Sequence, residues 1–422
     1  MEHKINKHIT EDDVNLILLK CGYNDVTVEN YDTSNASDHM LGFLGDYWKL
    51  KIQIAVENRQ NTVRKVLNFF IKAISKSNPS KAEIVRNMKL FDKELCFYSV
   101  IKMKIYLPDM QPWCAKLITP LNEALVLEDL KSLQYETRNK FARFDREHTL
   151  QALKTLARFH ASTIIFEENK KQVLQSAYTI NDEYSHLLDE GGYNKSDPWF
   201  LQCMNGALEA ITAYSKYSNN EKTINVIKTQ WSNIWFSALE LSKISSKYRN
   251  VVCHRDLWNN NILFHYKKVG EKSIPDDCMV VDFQAVSYQP PAGDIMLLLC
   301  CNLDPKFRED NLNSFLDYYY QELRTILVNY RIKIEKVLNK EDFLNSADYL
   351  RKWGLIVCAC LIPQFWIDDE LTTKIFCDTI QFDKVLSKDK GTFIKNMMET
   401  NKDYRENVME IFHEIIERYV TF

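Results

Sequence analysis

Glycine and proline are scarce, ten of each in 422 residues, against about 7% and 5% in an average protein. Low-complexity tracts and internal repeats are missing, and so is the glycine-rich G-x-G-x-x-G phosphate loop. The one polar stretch that reads as a linker is 191–198. Long hydrophobic runs are also absent: the purest, 295–301 and 355–362, are far too short to cross a bilayer. No membrane span is therefore expected, and the first ten residues are polar, without an apolar signal segment. A net charge of -3 with no dense basic block argues against nucleic acid as a partner. No C-x-x-C spacing occurs among the eleven cysteines. Their odd number and dispersed apolar settings point to reduced thiols and a cytoplasmic location. Cys358 and Cys360 leave two readings open, a zinc site or the apolar face of a buried helix, and the second is favoured.

What is present is globular composition, 45% hydrophobic and 26% charged, in a chain long enough for two lobes. Thr10 followed by Glu11, Asp12 and Asp13 reads as a capped helix to about residue 20. Strand patterns follow at 26–31, 47–56, 66–74, 115–118 and 124–127, with a turn at 41–46. Between the third and fourth, Ser80-Lys81-Ala82-Glu83 reads as a capping box. It opens one amphipathic helix on which Ile84, Met88, Phe91, Leu95 and Tyr98 recur at helical spacing. Beyond residue 146 the patterns become long helices, at 149–166, 199–215, 222–246, 312–338 and 404–419. The expected architecture is α+β, with a five-stranded antiparallel sheet and one inserted helix over 1–130 and a mostly helical lobe over 131–422.

The sharpest chemical signal is Val251 to Phe264, in which His254-Arg255-Asp256-Leu257-Trp258-Asn259-Asn260-Asn261 fits H-R-D-L-x-x-x-N at every position. About twenty residues on, Val280-Val281-Asp282-Phe283-Gln284 is an apolar strand ending in an aspartate. Phosphoryl transfer asks little covalent chemistry of a protein; it needs positioning and charge neutralisation, and these two segments carry the parts for both. Asp256 is the expected base that orients a hydroxyl and takes its proton. Asn261 and Asp282 offer the hard oxygens that magnesium prefers, and His254 braces the loop. The bland alternative is a turn cap, a polar loop and a strand end; a match at all five specified positions of the eight-residue motif weighs against it.

Lys72 lies inside the apolar strand VLNFFIKAI, where an unpaired ammonium is costly, so it needs an anionic partner. ATP phosphates and the carboxylate of Glu94, on the helix that follows, would satisfy it; Asp92 and Lys93 are weaker competitors for that helix position. Gly42 and Gly45 sit where a loop would bring backbone N–H groups to phosphates, or simply form a hairpin turn. Backbone near Glu128, at the end of Val126-Leu127-Glu128-Asp129-Leu130, is placed to meet adenine or merely to leave the strand.

With HRDLWNNNILF, DFQ, LVLEDL and the segment Leu156-Ala157-Arg158-Phe159-His160-Ala161-Ser162, the chain resembles the ecdysteroid kinase-like family of arthropods, within the CHK kinase-like group. That family is similar in fold to aminoglycoside phosphotransferases and choline kinases, and so to protein kinases. The resemblance runs from about Tyr31 to the C-terminal helices; the glycine loop departs from it. It implies ATP-dependent, magnesium-dependent phosphorylation of small hydroxylated compounds, with ecdysteroids and xenobiotics as themes. It assigns Asp256 as base, Asn261 and Asp282 as metal ligands, Lys72 as phosphate ligand and Glu94 as its partner. It also carries Asp294, expected to cap the next helix and steady the catalytic loop.

Two rivals remain at this stage: a catalytically weak kinase fold acting as a binding protein, and a protein kinase. The first would show a degenerate catalytic set, and here the set is complete. The second needs a long activation segment and an A-P-E, and neither fits between Asp282 and Asp294. A small, hydroxylated, apolar acceptor is the expected partner, in a pocket walled by the helical sequence between LARFHAS and HRD. Trp199, Phe200, Trp231, Trp235, Tyr288, Phe365 and Trp366 are available as lining, most of them expected in the core. The acceptor's identity and the oligomeric state leave no signature in the sequence.

Overall fold

The computed structural model describes residues 9–37, 41–57, 61–188 and 194–422. The segments read above as a signal-free N-terminus and a polar linker lie partly outside those residues. The chain begins with the helix Glu11–Lys20, capped by Thr10 and Asp13 in a reciprocal box. Five antiparallel strands follow: β1 (Thr27–Asn35), β2 (Gly45–Glu57), β3 (Thr62–Ile74), β4 (Leu117–Leu121) and β5 (Ala124–Glu128). They pair in the order β1-β2-β3-β5-β4. Alternation along these strands divides the sheet into two faces. Leu50, Ile52, Ile54, Phe69, Ile71 and Val126 pack on the first helix through Val14, Ile17 and Leu18. Tyr47, Lys49, Phe70, Lys72 and Leu127 occupy the opposite face, in register with one another across β2, β3 and β5.

The single helix expected after β3 is instead a broken one. Asn78, not Ser80, is its cap, with Pro79 in the first turn. The helix Pro79–Asn87 stops before Lys89, which adopts φ 52, and the chain resumes as Leu90–Cys96 and then a π-helical turn, Phe97–Ile101. The break re-aims the second segment so that Glu94 turns under the sheet; uninterrupted periodicity hides such a break, because the apolar spacing is conserved across it.

Helices dominate the rest, among them Arg146–Leu174, Pro198–Tyr214, Glu221–Leu241, Ala292–Asn302, Pro305–Asn329, Lys340–Phe365 and Lys402–Tyr419. The pattern read as one helix over 312–338 starts earlier, at Pro305, and ends at Asn329. Cys358 and Cys360 are buried in the helix Lys340–Phe365, and the Cys358 thiol donates to the Cys300 carbonyl at 3.3 Å. This is the helix-face reading. Among the described residues no single helix is long and apolar enough to cross a membrane.

Of the second sheet system the sequence marks only the strand end before Asp282. The two-residue β6 (Glu136–Thr137) pairs with β8 (Ile262–Val269), which forms a hairpin with β9 (Lys272–Val280); β7 (Val251–Cys253) pairs with β10 (Ser287–Gln289). The hairpin presents Asn261 just before β8 and Asp282 just after β9, and Val281 N–H to Asn261 O at 3.0 Å ties the two ends together. A bond from Val280 N–H to Trp113 O anchors the hairpin to the segment leading into β4.

Candidate active site

The loop between β7 and β8 carries the H-R-D motif, and its conformation is dictated by one buried carboxylate. Asp294, fully buried, accepts hydrogen bonds from the backbone N–H groups of His254 at 2.7 Å and Arg255 at 2.8 Å, and contacts His160 Nε2 at 3.1 Å. Burial alone would raise its pKa, but His160 and His254 outweigh that and hold it below the usual carboxylate range. It ties down the loop that carries the motif, yet it does not cap the following helix: Pro291 occupies that position with no side-chain cap. His160, Cys253 and Asp294 lie close enough to resemble a metal cluster. Their atoms are already engaged, since His160 Nδ1 meets Tyr319 OH and Cys253 Sγ donates to Gln289 O.

His254 is buried and its pKa is lowered by that burial. A neutral ring with Nε2–H fits its contacts: Nε2 meets Val281 O at 2.8 Å, and Nδ1 accepts from Asp256 N–H at 3.2 Å. One imidazole thus fastens the motif loop to the strand end that presents Asp282. Arg255 and Asp282 both adopt positive φ, 67 and 72, and this network holds them in that strained conformation.

Lys72 reaches from the cleft face of β3 to Glu94 Oε2 at 2.5 Å and Asp282 Oδ1 at 2.8 Å. Burial works against its charge, but Asp282 and Glu94 outweigh it and raise the lysine pKa. Glu94 uses its other oxygen to accept from Phe283 N–H at 3.1 Å. Phe283 in turn stacks on Phe97, centroids 4.2 Å apart, so sheet, broken helix and strand end close on a single point. Asn261 Nδ2 donates to Asp256 Oδ2 and to Asp256 O, both at 2.9 Å, which leaves its oxygen free of that task. Burial, then the charge of Asp282, push the Asp256 carboxyl up to about 8.

Two clefts meet at Asn261 and Asp282. The first, with about 890 Å³ of empty space, is walled by Lys72, Glu94, Phe70, Leu127, Glu128 and Leu263. The second, with about 1070 Å³, is lined by Asp256 and by an aromatic slab. In that slab Trp258 stacks on Phe365 at 3.7 Å, and Phe43 lies 5.5 Å from Trp258 and 4.4 Å from Phe376. Gly42 borders both clefts. A Cβ there would stand 2.4 Å from the Tyr47 hydroxyl, so the glycine admits the tyrosine ring; Gly45, the first residue of β2, packs on the same ring and borders neither cleft.

Sequence reasoning missed Tyr47, Phe43, Trp258 and Gln364 as cleft-lining residues. Of the aromatics it offered, Trp199 and Phe365 line the second cleft, whereas Phe200, Trp231, Trp235 and Tyr288 are core. Trp366 packs instead against Phe141 and Arg143. The segment after Asp282 is short and pinned: one 3-10 turn, Phe283–Ala285, runs directly into β10.

The order strand lysine, helix glutamate, H-R-D loop and hairpin-terminal aspartate defines a protein-kinase-like fold. The family model described as the ecdysteroid kinase-like family matches residues 44–331, from the turn before β2 past the last motif. The chain belongs to the ecdysteroid kinase-like family. Among curated proteins it is similar to an uncharacterized kinase-like protein, D1044.1, of Caenorhabditis elegans. That match is 25% identical over 187 residues, 43% of this chain and 42% of the relative. It is also similar to the uncharacterized oxidoreductase dhs-27 of the same organism, 29% identical over 133 residues, 29% of this chain and 16% of the relative. The chain thus spans less than half the length of either. Among solved structures it is similar to a choline kinase from Cryptosporidium parvum, with 12% identity, TM-score 0.40, and 97% and 98% of the two chains covered. Aminoglycoside 2'-phosphotransferase-IIIa is similar at 9% identity and TM-score 0.35, covering 95% and 96%.

Proposed function

We propose that this member of the family is an ATP-dependent small-molecule kinase, transferring the γ-phosphoryl group to a hydroxyl of an apolar acceptor. The observation that carries the reading is the convergence of Lys72, Glu94, Asp256, Asn261 and Asp282 where two clefts meet. ATP takes the first cleft, its adenine against Leu127 and backbone near Glu128, its phosphates toward Lys72 and the Gly42 loop. Residues 1–130 serve as the nucleotide-gripping lobe and 131–422 supply the catalytic loop and most of the acceptor cleft.

Asn261 and Asp282 are the residues suited to hold magnesium, since a side-chain amide oxygen and a carboxylate border both clefts and are the hard donors that ion prefers. When bound, the ion neutralises charge on the phosphate oxygens. Lys72, kept charged by its two carboxylates, does the same for the phosphates from the other side. In the transfer, the acceptor oxygen forms a bond to the γ-phosphorus, the bond to the bridging oxygen of ADP breaks, and the hydroxyl proton passes to Asp256. Asp256 must be ionised to take it: burial and the charge of Asp282 raise its carboxyl to about 8, and a cation held by Asp282 would offset the second of these. Asn261 fixes the carboxylate's orientation, and Asp294 fixes the loop that bears it.

The short path from Asp282 to the helix at Ala292 leaves no platform for a peptide, which favours a small acceptor over a protein. A cytoplasmic location belongs to the same reading, in keeping with eleven thiols that are all free. The test is ADP release with magnesium and ATP over a panel of ecdysteroids, other sterols, plant glycosides and choline-like alcohols, with Asp256→Asn as control. Acceptor-dependent release that collapses in the variant is the expected result. ATP binding without turnover of any acceptor would favour a binding protein instead, and phosphate transfer to added proteins would favour a protein kinase.

A further inference from the structure

A lysine is sealed behind the second cleft. Lys390, fully buried at the start of the helix Lys390–Thr400, has as its hydrogen-bond acceptor not a carboxylate but the side-chain oxygen of Gln364, at 3.1 Å. The Trp199 ring faces the same ammonium at 5.0 Å, and Trp199 Nε1 donates to the same Gln364 oxygen at 3.4 Å. An ammonium and an indole N–H can only donate. With two such donors aimed at one atom, the amide has one acceptable orientation: oxygen toward Lys390 and Trp199, nitrogen away from them. Were it reversed, two donors would face a third.

The nitrogen end of Gln364 makes no hydrogen bond among the described residues and is not among the atoms sealed from solvent. Gln364 lines the second cleft. Its neighbour Phe365 stacks on Trp258, two residues beyond Asp256. One wall therefore carries Asp256, then an apolar aromatic slab, then a fixed N–H donor.

We infer that Gln364 is a specificity-determining residue of the acceptor cleft, donating to a second oxygen, carbonyl or hydroxyl, of an uncharged ring-bearing acceptor whose reacting hydroxyl is offered to Asp256. The inference rests on the phosphotransferase reading for the role of Asp256. Lys390 is a positioning residue that acts through Gln364. Asp197, Asp256 and Asp282 line the cleft as a whole, but beside Gln364 a cationic group is disfavoured, because Lys390 lies beneath the wall there and the Trp199 face that would attract an ammonium already has one. Asp197, the acid at that end, accepts from Phe200 N–H at 2.7 Å as the cap of the helix Pro198–Tyr214.

The test compares two probes of one shape: testosterone, with a hydroxyl and a ketone at opposite ends of a rigid tetracycle, and the same tetracycle with the ketone replaced by methylene. Binding is measured by equilibrium dialysis against the wild type, Gln364→Glu and Lys390→Met, with choline as a third ligand and ATP affinity and thermal melting as controls. Gln364→Glu is the informative change, because its carboxylate keeps the shape and pairs with Lys390 while offering the cleft an acceptor in place of a donor. The wild type should prefer the ketone by about tenfold. Gln364→Glu should abolish or reverse that preference at unchanged ATP affinity, Lys390→Met should weaken it, and choline should not compete. Equal binding of both probes to the wild type, binding of neither, or an intact preference in Gln364→Glu overturns the inference. An intact ketone preference with no acceptor-dependent ADP release leaves the cleft reading standing and sinks the phosphotransferase one.

Discussion

The two clefts share Asn261 and Asp282 but are built in different ways. The first rests on one sheet face, where pleating alone places Lys72, Phe70 and Leu127 together, and is closed by Glu94 and by the hairpin ends at Asn261, Leu263 and Asp282. The second gathers side chains from the Gly42 loop, the broken helix, the catalytic loop and the helices Pro198–Tyr214 and Lys340–Phe365. On the proposed reading, a cleft for phosphates and a metal has invariant chemistry and is served by fixed residue types at fixed spacing. A cleft whose ligand is recognised by shape is assembled from distant segments, and it can be rebuilt without touching the first.

The largest effect belongs to the residue facing the shared chemistry. Asp256→Asn should reduce acceptor-dependent ADP release by about a hundredfold or more while both substrates still bind within a fewfold, as calorimetry would register. Loss of ATP binding in this variant would mean that Asp256 holds the nucleotide cleft together, and the division between clefts would fail. Lys72→Met comes next: kcat/KM for ATP should fall by about two orders of magnitude, with acceptor affinity unaltered. Because the change also leaves Glu94 and Asp282 without their cation, a melting curve must accompany the kinetics; a large loss of stability would assign the lysine mainly to structure.

The same contrast explains what was legible beforehand. The five strands, the H-R-D loop and the Asp282 strand end could be read because each is set by local alternation or contiguous motif. Lys72 was legible as a charge that an apolar strand cannot leave unpaired, and Glu94 as the carboxylate following it; the pair is there, with Asp282 as a third member. The break at Lys89 was not legible, since a left-handed residue there preserves the apolar spacing on either side. For Asp294 the family resemblance implied both a steadying of the motif loop and a cap on the next helix; the first is met through two amides about forty residues upstream and the second is not, and neither partner could be read from the residues around it. Phe43 reads only as part of a turn, Trp258 as a motif position and Phe365 as one aromatic among several, and only their stacking across three segments makes them a wall.

That wall yields a smaller and more selective effect. Phe43→Ala removes one face of the slab from a half-buried loop residue, without opening the main core. KM for an apolar acceptor should rise about tenfold, in line with the loss of one aromatic contact of about 1.4 kcal/mol, and KM for ATP should stay put. Parallel rises in both constants would show that the Gly42 loop serves the nucleotide as much as the acceptor.

The smallest effect is a stability difference that grows with pH. Asp256 has its carboxyl raised to about 8 by burial and by the charge of Asp282, so over the range from its ordinary value up to 8 the folded protein holds a proton that the unfolded chain releases. Stability from that proton is complete below the unfolded value and lost as pH climbs through the folded one, at no more than about 1.4 kcal/mol per pH unit. Asp256→Asn cannot ionise and escapes the loss. In EDTA, its Tm should exceed that of the wild type by a margin that widens by a few degrees between pH 6 and 8 and levels off above. A margin independent of pH would mean that Asp256 is already ionised in the free protein. The residue expected to carry the chemistry would then contribute its base at no cost to the fold.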